Sequence, residues 1–88
     1  MQEFDKECLQ VFLERQTQLF PEPVAETMRE TREFLEESMA VVLKSQAEVK
    51  QYFEESGVDT SGMSLEELLS QNEVFPLQKT GRYLIVEG

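Results

Sequence analysis

The sequence predicts a mainly α, α+β domain. Its expected architecture is a helical hairpin or bundle of two long helices and one short helix, with a C-terminal β-hairpin. Three observations predict it. Apolar residues recur at helical spacing from Phe4 to Phe53. Breaks in that pattern coincide with Pro, Gly and a capping serine. After residue 73 the chain turns to short apolar runs rich in Val, Ile and Tyr around a Lys-Thr-Gly turn. At 88 residues, one domain spanning 1–88 is expected, with its β segment at about 74–86.

The first helix is expected over 2–20, where Phe4, Cys8, Val11, Phe12 and Leu19 fall near one face. Phe20-Pro21-Glu22-Pro23 ends it, because a residue before proline avoids the α conformation. The second helix is expected from about Pro23 to Ser56, with Val24, Met28, Leu35, Met39, Val42, Val49 and Phe53 in helical period. Met28, Leu35, Val42 and Val49 stand seven apart, as in coiled-coil packing. Such a helix would span roughly 50 Å, so a bend or break is an alternative. Phe34 and Val41 widen its stripe to a second side.

Gly57 is the expected left-handed stop, with Val58 making the apolar contact after it. Residues 57–63 read as a linking turn. Ser64-Leu65-Glu66-Glu67 is a capping-box sequence, and Met63 and Leu68 stand at the staple positions, so a short third helix starts there and ends near Asn72. Val74–Leu77 and Arg82–Val86 then read as two strands, the first marked by Pro76 as an edge. The second is apolar on both faces. It is covered either by the second helix on one face and the third on the other, or by a second copy of the chain.

Composition narrows the function. The net charge is −10, from 18 acidic and 8 basic residues. Direct nucleic-acid binding and attraction to an anionic membrane both need the opposite sign. At 40% hydrophobic residues, the chain has enough apolar surface to fold despite that charge. The acidic N-terminus, the single cysteine and the shortness of every apolar run (the longest is Met39 to Leu43) point to a cytoplasmic protein.

With no histidine, neither a Ser-His nor a Cys-His nucleophile can form. Cys8 lies on the apolar stripe and reads as a small buried hydrophobe. No cofactor and no metal are expected. Carboxylates are the abundant resource. Glu22, Glu26, Glu30, Glu33 and Glu37 follow steps of four, four, three and four, as one acidic row. Glu30, Glu33 and Glu36 have the spacing that helical enzymes use to hold magnesium at phosphates. A second acidic cluster is needed, and Glu54, Glu55 and Asp59 lie several turns away, so a solvated helix face is the preferred reading. Asp59-Thr60-Ser61-Gly62 lacks the spacing of a calcium loop.

The expectation is therefore a small acidic protein-interaction or regulatory protein without catalytic activity. Two alternatives stand beside it. One is an acidic nucleic-acid mimic or inhibitor that occupies a basic groove. The other is a magnesium-dependent helical nucleotide hydrolase using Glu30, Glu33 and Glu36. A homodimer is expected because so short a chain has little core to spare. Phe34, Val41, Tyr83, Leu84, Ile85 and Val86 are the candidate interface, and another protein is a further candidate partner.

Overall fold

The computed structural model describes residues 4–86. Helix α1, Lys6–Arg15, is capped by Asp5, whose side chain accepts from the Cys8 N–H at 3.1 Å. A 3-10 turn, Gln16–Gln18, follows it. The first helix is thus shorter than expected, and residues 2 and 3 lie outside the described residues. Residues 19–27 form no regular element.

The expected helix over 23–56 is not one element. Helix α2 spans Met28–Glu37, strand β1 Val41–Leu43, and helix α3 Gln46–Glu55. The two long helices of a hairpin or bundle are therefore replaced by shorter ones. Local chemistry explains each break. Thr27 caps α2 in a reciprocal box: the Glu30 N–H donates to Thr27 Oγ1 at 3.1 Å, and the Thr27 N–H donates to Glu30 Oε1 at 3.2 Å. At the other end, Met39 adopts φ 59°. The Ala40 N–H reaches back to the Leu35 carbonyl at 3.1 Å, and the Met39 N–H to that of Glu36 at 3.3 Å. This is the paired closure that usually carries glycine at the left-handed position. Val41, Val42 and Leu43 then extend, and Ser45 caps α3 by accepting from the Glu48 N–H.

Gly57 closes α3 the same way at φ 89°, with its own N–H on Glu54 and that of Val58 on the Phe53 carbonyl. Helix α4, Leu65–Leu69, starts at Ser64, which accepts from the Glu67 N–H at 3.2 Å. Strands β2, Val74–Leu77, and β3, Arg82–Ile85, form the expected C-terminal hairpin, and Gly81 turns it at φ 72°.

The sheet is antiparallel, in the order β1-β3-β2. Val41 pairs with Ile85 and Leu43 with Tyr83 on one side of β3, while Val74 pairs with Ile85 and Phe75 with Leu84 on the other. Alternation along the strands sends apolar side chains both ways. Leu84, Val86, Phe75 and Leu77 join Cys8, Phe12 and Leu35 in one core between the sheet and α1 and α2. Ile85 and Val74 join Val49, Phe53 and Leu68 in a second core under α3 and α4. The molecule is a three-layer α–β–α stack, and β3 is its centre.

Met39 offers a direct test of the α2–β1 break. Its side chain is 85% exposed, so its left-handed backbone is not offset by packing. Met39→Gly should raise stability by about 0.5–1 kcal/mol, because glycine adopts that conformation without the Cβ clash. Urea denaturation measures it, and a loss of stability in the variant would mean that residue 39 is not left-handed in solution.

Candidate functional site

The residues expected to form an interface lie in different surroundings. Leu84, Ile85 and Val86 are buried within the chain. Phe34 is half-buried, its ring stacked on Phe12 and edge-on to Phe20, each at 5.5 Å. Val41 and Tyr83 pack against the second core, and the Tyr83 hydroxyl accepts from Gln46 Nε2 at 3.3 Å.

The five acids of the proposed row are all exposed, but only Glu30, Glu33 and Glu37 stand on α2. Glu22 and Glu26 belong to the irregular segment before it. Glu30 is engaged in the cap, and Glu33 pairs with Arg29 at 3.3 Å. Among the described residues no three acidic or thiol side chains converge as a metal would require, Glu30, Glu33 and Glu36 included. Asp59 accepts from the Ser61 hydroxyl at 2.7 Å and its N–H at 3.0 Å; these bonds hold its carboxyl below the usual range and define a tight turn.

The most strongly interacting polar cluster escaped the sequence reading. It joins the start of α1 to the β2–β3 turn across more than 70 residues of chain. Glu7 accepts from the Lys79 N–H at 2.9 Å, from Thr80 Oγ1 at 2.7 Å and from Arg82 Nη2 at 3.1 Å. The same guanidinium nitrogen donates to Asp5 at 2.7 Å, and Arg82 Nε donates to Thr80 Oγ1 at 2.8 Å. Burial works to raise the Glu7 and Asp5 pKa values. Hydrogen bonds from Thr80, Arg82 and the Lys79 N–H outweigh it at Glu7, and bonds from the Cys8 N–H and Arg82 do so at Asp5, so both carboxyls titrate below their usual range. Arg82 is held above its usual value, since its two carboxylate partners outweigh its own burial. Next to them Cys8 is buried, and desolvation with the Asp5 carboxylate pushes its thiol up to about 11. It is a poor nucleophile at neutral pH.

This clasp makes stability depend on acid. Its two carboxyls have lower pKa values folded than unfolded, so their contribution is full above the ordinary carboxylate range near about 4 and is lost as pH falls through the depressed folded values. Arg82→Gln should therefore destabilise the chain at neutral pH and lose less further stability than the parent on acidification. Parallel urea titrations from neutral pH downward measure this, and identical acid slopes for the two proteins would contradict it.

Along β2 lies a shallow trough in two joined parts, both lined by Arg15 and Pro76. One part runs toward Gln10, Glu14 and Lys79; the other toward Gln18, Leu69 and Asn72. Its floor is closed to a further strand. Gln18 Nε2 donates to the Val74 carbonyl at 2.9 Å and to that of Asn72 at 3.0 Å, and Pro76 has no N–H to offer. Because Val74 and Pro76 are two apart, their backbone groups point the same way, out of the sheet edge.

No helix among the described residues is long and apolar enough to cross a membrane. No protein-family model, curated protein or solved structure matches the chain.

Proposed function

We propose that the chain is a small acidic protein-interaction or regulatory module that acts by binding and carries out no chemistry of its own. The observation that supports this most is where its perturbed groups are spent. Apart from Asp59 in its own tight turn, the described side chains whose titration is clearly shifted are Asp5, Glu7, Cys8 and Arg82, and they form one clasp and core contact between α1 and the hairpin. Perturbed groups gathered in an open cleft favour catalysis, whereas an ion-pair network that joins two elements favours a structural role. Glu36 and Glu37 on α2 and Glu66 and Glu67 on α4 are exposed and accessible to a partner.

Retrieval of the tagged protein from its native cell tests the reading, with an unrelated acidic domain of equal charge as control. A partner retained by this chain and absent from the control at moderate salt is the expected result. Recovery of only the control's background at every salt would contradict it, as would magnesium-dependent nucleotide turnover lost in Glu33→Gln.

Self-association forms a separate proposal. The sheet's two apolar faces are covered by the chain's own helices, so they give no reason for a dimer. The small core remains a reason. Sedimentation equilibrium at high micromolar concentration should show twice the 10.2 kDa chain mass if the homodimer forms, and the monomer mass alone would reject it.

A further inference from the structure

We draw no further inference here: the strongest candidate, the acidic surface from the end of α3 to the start of α4 that exposes Val58 and Leu65 along with Glu54, Asp59, Glu66 and Glu67, joins a cluster of carboxylates to two single apolar side chains, and nothing in the structure shows what covers it.

Discussion

Phe12→Ala should remove about 3–5 kcal/mol of stability, the largest loss expected from any single truncation. Phe12 is fully buried, and its ring meets Phe75 at 5.1 Å, Phe34 at 5.5 Å and Phe20 at 6.4 Å. Those rings belong to β2, α2 and the segment between α1 and α2, so one side chain joins four parts of the chain. Its loss leaves a cavity that three separate elements would have to move together to fill, and aromatic contacts of roughly 0.5–1.5 kcal/mol each disappear with it. A domain of 88 residues has a total stability of about 4–13 kcal/mol, so the variant should be near the limit of folding. Urea denaturation gives the value; a loss under about 1 kcal/mol would mean that this core is not packed around Phe12.

Gln16→Leu should cost about 2–4 kcal/mol although it adds apolar volume to a buried position. The Gln16 amide is saturated. Its Oε1 accepts from the N–H groups of Val24 at 2.7 Å and Ala25 at 3.1 Å, and its Nε2 donates to the carbonyls of Ala25 at 2.8 Å and Leu13 at 3.0 Å. The segment 19–27 has no ladder or helix to satisfy its backbone, and this side chain supplies part of what is missing. Leucine would orphan four polar groups at once. Gln16→Glu is the sharper comparison, since it keeps the two accepted bonds and sets a carboxylate against two carbonyl oxygens. It should be as damaging as leucine at neutral pH. Faster hydrogen exchange at Val24 and Ala25 should accompany either change, and unaltered exchange there would show that the segment is held by something else.

How far the sequence could be read differs by element. The caps were local and largely legible: Gly57 takes the left-handed stop, and Ser64 caps α4 by accepting from the Glu67 N–H, one half of the expected box. The hairpin was legible because Tyr83, Ile85 and Val86 change the residue type as well as the period. The long second helix was not, and the seven-residue row shows why. Met28, Leu35 and Val42 pack into the core on the α1 side of the sheet, but Val49 belongs to the opposite core. A row that suggests one continuous stripe is therefore shared between two faces of a sheet. The break itself depends on Met39 in a backbone conformation that methionine rarely adopts, which nothing in the residue's identity announces. The capping box at Thr27-x-x-Glu30 is a local signal in the sequence, and it competes with Pro23, which also suits a first helical turn. The clasp and the trough were out of reach for a different reason. Asp5, Glu7 and Arg82 meet only after the hairpin has folded back onto α1, and no local pattern encodes a contact between residues more than 70 apart.

The central claim is that residues 41–43 form a strand against β3 where a helix would otherwise continue, since this one element makes the sheet three-stranded and separates the two cores. The Val86 N–H bonds to the Glu73 carbonyl, so Leu84, two residues earlier, turns its backbone groups toward β2. Val42 and Leu84 are then a closely spaced pair across β1 and β3, with their Hα atoms facing each other. A nuclear Overhauser measurement on the labelled protein tests this directly. A strong Hα–Hα cross-peak between Val42 and Leu84 is the expected result. An unbroken series of sequential amide–amide cross-peaks from residue 37 to residue 46, with no cross-strand peak, would restore the continuous helix and contradict it.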